Sequence, residues 1–105
     1  MRQAEGLIHD QIVKRITDLA KDGHPIYVER RGAKGAAYKK GIPDIFIVFN
    51  GIHIEVEEKQ PGGVRSVMQE KWEEKCRRLG IPYILVESAD EVLTKIREEL
   101  RKRKG

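Results

Sequence analysis

The sequence predicts an α/β fold, a small mixed β-sheet flanked by helices, with the elements in the order α-β-β-β-α-β-α. Three observations lead to this prediction. Residues 4 to 21 carry apolar side chains at helical spacing. Asn50 and Gly51, the dipeptide that best fits a two-residue hairpin turn, separate the strand-like runs IFIVF and IHIEV. Two capping-box patterns, one on each side of a short apolar strand, mark the starts of two later helices.

The first helix and the first strand follow from apolar spacing and turn residues. Gly23 and Pro25 end the helix, because neither residue suits a helix interior. PIYVER, residues 25 to 30, then predicts a short strand, and the Gly, Ala and Lys of residues 32 to 41 predict a basic loop that leads to GIPDIFIVF. The apolar positions of the helix are Leu7, Ile8, Ile12, Ile16, Leu19 and Ala20.

The second helix is predicted over residues 67 to 79. Ser66 and Gln69 form its capping box, and Gly80 suits the position just past its end. Its apolar side chains are spaced four, four and three residues apart, and this stripe is expected to face the core. The stripe comprises Met68, Trp72, Cys76 and Leu79.

The last strand and the last helix have similar signals. PYILV, residues 82 to 86, is a short apolar strand, and Ser88 with Glu91 resembles a second capping box. The third helix is expected to fray into the terminal RKRKG. Its apolar face comprises Val92, Leu93, Ile96 and Leu100.

Length and composition restrict the class of protein. The 105 residues fit one domain, spanning 1 to 105, and 39% hydrophobic residues suffice for a core. The longest apolar runs are too short to cross a bilayer, and no hydrophobic signal region begins the chain, so an intracellular protein without membrane contact is expected. The one cysteine, Cys76, excludes an internal disulfide and a cysteine-based metal site.

The chain is basic, with a net charge of +4 and a pI near 9.3. Its basic residues gather in residues 29 to 40, 74 to 80 and 97 to 105. Such a distribution is compatible with a polyanionic partner, although lysines and arginines also simply solvate surfaces.

The hairpin turn fixes which residues face each other across the two strands. With Asn50 and Gly51 in the turn, the register places Asp44 opposite Glu57. Residues that face each other on neighbouring strands have Cβ atoms about 4.5–5.5 Å apart, so two carboxylates in these positions repel each other. Such a pair also provides the one or two carboxylates that Mg²⁺ usually takes from a protein beside substrate phosphate. Lys59 follows Glu57 on the same face, where it could reach a water or a phosphate oxygen.

A purely structural interpretation of the same residues is also open. Asp44 could cap the strand after Pro43, while the glutamates face solvent and are neutralised by Lys59. His9 and His24 lack metal-ligand spacing and are expected to be structural or solvent-facing.

Three segments taken together, GIPDIFIV, EVEEKQPGG and SVMQEKW, resemble the VRR-Nuc branch of the PD-(D/E)XK nucleases. The pattern of that branch is Gly-x-Pro-Asp, a hairpin, Glu-x-Lys, a Pro/Gly loop and then Ser-x-x-Gln on the next helix. The match is close over residues 41 to 72, and the flanking elements fit in order from about residue 5 to 100. The resemblance implies a restriction-endonuclease-like core.

The Glu-x-Lys signature can be aligned in two ways. If Glu55 is the ligand, Glu57 stands where the lysine belongs, and the enzyme would be impaired. If Glu57 is the ligand, Glu58 is the x residue and Lys59 is the lysine. The predicted hairpin register favours the second alignment, as does the ten-residue step from Lys59 to Gln69.

The resemblance implies specific roles for these residues. Asp44 and Glu57 would bind Mg²⁺ or Mn²⁺, with the backbone carbonyl of Glu58 as a further ligand. Lys59 would orient or activate the attacking water, and Gln69 is the extra signature residue of the branch.

Two of the implied roles have ordinary alternatives. Glu5 matches an N-terminal glutamate that contributes to the metal site in the family, yet a glutamate in the first turn of a helix is common. Gln69 is also the capping partner of Ser66, so its two roles could compete.

The reaction implied by the resemblance is metal-assisted phosphodiester hydrolysis by a DNA endonuclease. Stand-alone members of this length resemble virus- or phage-encoded enzymes that dimerise and cut branched DNA such as four-way (Holliday) junctions, so DNA and a homodimer are the expected partners. Two other interpretations stay open: a nucleic-acid-binding module without turnover, and a restriction-type or RNA-processing nuclease. Basic residues ahead of Asp44 are expected to contact phosphate, namely Arg30, Arg31, Lys34, Lys39 and Lys40.

Overall fold

The computed structural model describes residues 5–31, 41–59 and 62–104. The order of its elements is the predicted one, and the α/β class is confirmed. No helix in these ranges is long and apolar enough to span a membrane. The elements are α1 (Glu5–Lys21), β1 (Ile26–Arg30), β2 (Ile45–Phe49), β3 (Ile52–Glu58), α2 (Val67–Leu79), β4 (Tyr83–Val86) and α3 (Val92–Lys104), with a 3₁₀ turn (Ala89–Glu91) leading into α3.

The four strands form one mixed sheet in the order β1-β2-β3-β4. The first two pairings are antiparallel, and β3 pairs with β4 in parallel. Asn50 and Gly51 form the β2–β3 turn with φ angles of 52° and 79°, the left-handed conformation that a two-residue hairpin turn needs at both positions. The predicted register is confirmed from Phe49 opposite Ile52 to Ile45 opposite Val56.

The core lies on the face of the sheet covered by α1 and α3. The apolar side chains of that face alternate with those of the opposite face, as strand geometry requires. Leu7, predicted to belong to the apolar face of α1, is instead 46% exposed. The buried core comprises Ile8, Ile12 and Ile16 of α1, Ile26, Ile45, Ile47, Ile54, Val56, Ile84 and Val86 of the sheet, and Ala89, Val92 and Ile96.

The apolar stripe of α2 was expected to face the core, and this prediction is right for Cys76 and wrong for Met68 and Leu79. Of the α2 residues only Cys76 is buried, while Met68 is 48% exposed and Leu79 is 64% exposed. The reason is the sheet face beneath α2, which carries the buried carboxylates Glu55 and Glu57. Arginines satisfy those carboxylates, so a large part of the contact beneath α2 is polar.

The helix caps agree with the sequence in α2 and differ before α3. The Ser66 hydroxyl accepts from the Gln69 N–H at 3.1 Å, and the Gln69 side chain accepts from the Ser66 N–H at 2.8 Å, which completes the predicted capping box. Ser88 forms no such cap. The Glu91 carboxylate instead accepts from the Glu87 N–H at 2.8 Å, and a 3₁₀ turn fills the place of the predicted first helical turn.

Candidate active site

Asp44 lies in a bend immediately before β2, at the end of the Gly-x-Pro-Asp segment. Gly41 begins this segment with a φ of 90°, which favours glycine. A Cβ on Gly41 would lie 2.5 Å from the Met68 carbonyl oxygen in the first turn of α2. The segment therefore packs directly on the backbone of α2, and this packing fixes the approach of the chain to Asp44.

Asp44 meets α1 and the end of β3 through one histidine. Nδ1 of His9 lies 3.7 Å from Oδ2 of Asp44, and Nε2 of His9 lies 3.2 Å from Oε2 of Glu58. The His9 and Glu58 side chains are almost fully buried, at 6% and 2% exposure, whereas the Asp44 side chain is 34% exposed. The three side chains thus form a cluster that opens to solvent at Asp44.

Glu57, the predicted partner of Asp44, has its carboxylate in a different environment. Both of its oxygens accept from Arg65, at 3.0 Å each, and the Tyr83 hydroxyl also donates to it. Because Asp44 precedes the first residue of β2, the alternation of the strand does not determine where its side chain lies. Asp44 contacts the α1 side, whereas Glu57 is held among residues beneath α2.

Arg65 connects three parts of the chain. Besides Glu57, it donates to the Glu73 carboxylate at 2.6 Å and to the Gln69 carbonyl at 3.4 Å. The bond to Glu57 raises the pKa of Arg65 above its ordinary value. Burial opposes ionisation of Glu73, but its hydrogen bonds from Arg77 and Arg65 outweigh this effect and lower the pKa of Glu73.

Lys59, just past β3, and Gln69, in the first turn of α2, are both half-buried. The Lys59 N–H donates to the Val86 carbonyl at 2.8 Å, which ties the backbone just past β3 to β4. Its ammonium forms no ion pair with any residue that the structure describes. The Gln69 side-chain oxygen is used by the α2 cap, so its amide N–H₂ is the part left to contact a ligand.

Arg31 and Arg30, two of the predicted phosphate contacts, differ in their surroundings. The Arg31 guanidinium binds both oxygens of Glu55, at 2.6 and 2.7 Å, and the Pro43 carbonyl at 2.8 Å. Arg30 is more exposed and pairs with Asp10 of α1. Contact of either residue with DNA stays a prediction.

Other predicted site residues lie wholly or partly outside the described residues. Lys34, Lys39 and Lys40 are among them. For Glu5 the backbone is described as the first residue of α1, and its side chain is not.

His9, which contacts Asp44 and Glu58, was not predicted to belong to the candidate site. Its spacing held the signal, because His9 directly follows Ile8 and precedes Ile12 by three residues, which places it on the buried stripe of α1. His9 and Asp44 are 35 positions apart in the sequence, so their contact depends on the packing of α1 against the sheet.

The side chains around Asp44 provide some of the ligands that a hard divalent cation needs. Asp44 and Glu58 supply two carboxylates around one imidazole, and Mg²⁺ usually takes one or two carboxylates with substrate phosphate and water. Within residues 5–31, 41–59 and 62–104 no group of three or more His, Cys, Asp and Glu side chains could by itself hold a metal. A cation here would therefore need ligands from water or substrate.

Comparison with known structures defines the class of fold. The chain is similar to a solved structure of a VRR_NUC domain, with a TM-score of 0.67 and 21% identity over 89% of this chain and 94% of that one. The VRR-Nuc fold expected from the sequence motifs is thereby confirmed. No protein-family model matches the sequence. No curated protein sequence matches it either.

Proposed function

We propose that this protein is a metal-dependent DNA endonuclease that hydrolyses phosphodiester bonds. One observation carries the proposal: in a fold shared with a VRR_NUC domain, the Pro43-Asp44 motif brings its carboxylate to the end of β3, beside His9 and Glu58. Asp44 is the exposed member of that cluster, so a phosphate could approach it from solvent.

The proposed cation is Mg²⁺ or Mn²⁺, held by Asp44 and a glutamate at the end of β3. When bound, such an ion polarises the phosphoryl oxygen and lowers the pKa of a bound water. The contacts favour Glu58 as the partner of Asp44, because Arg65 and Tyr83 already bind Glu57. Glu57 and Glu5 as ligands, and the Glu58 carbonyl as a further one, stay predictions.

The other proposed roles fall to Lys59, Gln69 and His9. Lys59, anchored through its N–H to Val86, would hold the attacking water or a phosphate oxygen with its ammonium. Gln69 would donate its amide N–H₂ to the substrate while its oxygen maintains the cap. His9 would keep Asp44 and Glu58 in place, since it contacts both carboxylates.

The proposed substrate is branched DNA such as a four-way junction, cut by a homodimer. The basic segment ahead of Asp44 would supply sequence-independent phosphate contacts. Exposed apolar side chains around the start of α2 support self-association, since Val64 is 97% and Val67 is 63% exposed. A twofold dimer would place two sites for paired nicks in a symmetric junction.

A substrate panel tests the proposal directly. Purified protein is incubated with labelled linear duplex, flap, four-way junction and RNA, each with Mg²⁺, Mn²⁺ or EDTA. We expect cleavage of DNA with either cation, none with EDTA, and the fastest cleavage on the junction. Asp44→Asn and Lys59→Met should each abolish cleavage and leave DNA binding largely in place.

Four outcomes would contradict different parts of the proposal. No cleavage of any substrate with Mn²⁺ would leave only a binding module. Cleavage that persists in EDTA would remove the cation from the mechanism. Equal rates on duplex and junction would contradict branch selectivity. A monomeric mass for the junction complex, measured by light scattering, would contradict the dimer.

A further inference from the structure

Arg31 holds the segment that carries Asp44 by two independent hydrogen bonds. Its backbone N–H donates to the Asp44 carbonyl at 2.6 Å, and its Nη1 donates to the Pro43 carbonyl at 2.8 Å. The two carbonyls are consecutive along the chain. One residue at the end of β1 therefore restrains the backbone on both sides of the Pro43–Asp44 peptide.

The guanidinium of Arg31 is itself fixed from β3. Nη1 and Nη2 donate to the two oxygens of Glu55 at 2.6 and 2.7 Å, and the guanidinium carbon lies 4.8 Å from the centre of the Phe46 ring. The Glu55 side chain is only 4% exposed. The hydrogen bonds that Arg31 donates to Glu55 raise the pKa of Arg31, so the guanidinium stays charged. A fork-to-fork ion pair of this kind restrains both groups in orientation as well as distance.

These contacts orient the Arg31 guanidinium toward groups within the protein. Arg31 uses three of its five N–H donors in these bonds, two on Glu55 and one on Pro43, so reorienting the guanidinium toward DNA would break them. Such a reorientation would leave the buried Glu55 carboxylate with only its contact to His53, and weakening a buried ion pair in this way is costly. Arg31 is therefore better suited to holding the backbone than to binding DNA.

We propose that Arg31 is a positioning residue, which places Asp44 for the reaction by bracing Pro43 and Asp44 against Glu55 of β3. The inference rests on the proposed function, because it assigns Arg31 to the site of Asp44. Lysine cannot replace it, since a single ammonium lacks the planar fork that spans Glu55 and the Pro43 carbonyl together.

The test compares Arg31→Lys with the matched control Arg15→Lys. Arg15 is also an ion-paired arginine, bonded to Asp90 at 2.7 Å, but it lies on α1 away from the Asp44 segment. We expect Arg31→Lys to lower kcat at saturating DNA about tenfold or more and to weaken Mn²⁺ binding, measured by calorimetry without DNA. The Kd for DNA and its salt dependence should not change. Arg15→Lys should match wild type in all these measurements.

A second variant guards against misfolding. Arg31→Met combined with Glu55→Met removes both charges at once, so no carboxylate is left buried and unpaired. This double variant should fold, by circular dichroism, and should show the same losses in kcat and Mn²⁺ binding as Arg31→Lys, since the Pro43 bond is lost in both.

The outcomes separate this inference from the proposed function. Unchanged kcat and Mn²⁺ binding in both variants would overturn the positioning role. Weaker DNA binding with a lower salt slope and unchanged kcat would also overturn it, since that is the pattern of a phosphate contact. If wild type cleaves nothing, the proposed function fails, and Mn²⁺ binding by wild type and Arg31→Lys still tests whether Arg31 positions Asp44.

Discussion

Arg65 binds both carboxylate oxygens of Glu57, with Nε 3.0 Å from Oε2 and Nη2 3.0 Å from Oε1. The pair ties the segment before α2 to the end of β3. The Glu57 side chain is 4% exposed and that of Arg65 is 17% exposed, so this ion pair is largely removed from water. This relationship separates Glu57 from its neighbour Glu58, which contacts His9.

The two adjacent glutamates should respond differently to the same substitution. Glu57→Gln removes the buried carboxylate charge that Arg65 binds and leaves Glu73 as the carboxylate partner of Arg65, so it should lower the free energy of unfolding by about 2 kcal/mol. Glu58→Gln should cost only about 1 kcal/mol, as expected for one altered polar contact, that with His9. It should nevertheless lower kcat/KM about a hundredfold, because it removes the negative charge beside Asp44. Urea unfolding and single-turnover cleavage measure the two effects.

Stability of Glu57→Asp and Mn²⁺ binding by the glutamine variants test the same difference between Glu57 and Glu58. Glu57→Asp keeps a carboxylate for Arg65 and should recover part of the lost stability. Mn²⁺ binding should be lost in Glu58→Gln and kept in Glu57→Gln. The reverse result, with Mn²⁺ binding lost only in Glu57→Gln, would restore Glu57 as the metal ligand and would contradict the assignment of Glu58.

Gly41 should tolerate alanine less well than another glycine with a similar backbone conformation. Gly41 and Gly23 have φ angles of 90° and 97°, so alanine at either position carries a backbone cost of about 1–2 kcal/mol. Only at Gly41 would the added Cβ also meet the Met68 carbonyl, at 2.5 Å, whereas nothing lies within 4 Å at Gly23. Gly41→Ala should therefore lower the Tm further than Gly23→Ala, by thermal unfolding, and should reduce cleavage even below its Tm. Equal losses of Tm in the two variants would mean that the Gly41 segment can shift away from α2 at little cost.

The fold was predictable because its signals are local. The Asn50-Gly51 turn alone determines the β2–β3 register, since a two-residue turn allows one pairing of the flanking strands. Ser66, Gln69 and Gly80 marked the ends of α2 to the residue, because caps satisfy backbone groups that only those side chains or a left-handed φ can satisfy.

The candidate site was only partly predictable because its contacts are long-range. Strand alternation predicts which side chains share a face, but Asp44 lies outside β2, so its contact with His9 depends on how α1 packs. The pairing of Arg31 with Glu55 and of Arg65 with Glu57 was likewise not predictable from the sequence. Such pairs join residues 24 and 8 positions apart, and nothing in the spacing distinguishes them from surface charges.

Substitutions of Ser66 and Gln69 should separate the capping role of Gln69 from a contact between its side chain and a ligand. Ser66→Ala removes one half of the capping box and should cost about 1 kcal/mol with little effect on kcat at 25 °C. Gln69→Ala removes the other half of the box and also the free amide N–H₂, so it should cost a similar free energy and lower kcat as well. Urea unfolding and cleavage at saturating DNA measure both variants. Equal kcat in the two variants would leave Gln69 a cap alone.

Glu73 should make stability depend on pH in the acid range. Its pKa is lowered in the folded protein by Arg77 and Arg65 despite partial burial, so its stabilisation is present above the ordinary pKa and is lost as pH falls through the folded value. Glu73→Gln should lower the free energy of unfolding by about 1 kcal/mol at pH 7 and by much less at pH 3. Its exposed neighbour provides the control, since Glu74→Gln should change little at either pH. A difference for Glu73→Gln that stays constant from pH 7 to pH 3 would contradict the ionic origin.

Cys76 should report how firmly α2 is held on the sheet. Its thiol is buried, at 1% exposure, and burial raises its pKa, so both access and the low thiolate fraction slow its reaction with a disulfide reagent. Because Cys76 is the buried residue of α2, labelling requires α2 to move away. Labelling at pH 8 should be slow in wild type and should accelerate at least tenfold in Glu57→Gln and in Arg65→Met, which both break the tie between β3 and the start of α2. Ser66→Ala, which weakens only the cap, should give a smaller increase. Fast labelling in wild type, or the same rate in every variant, would mean that α2 opens independently of the Glu57–Arg65 pair.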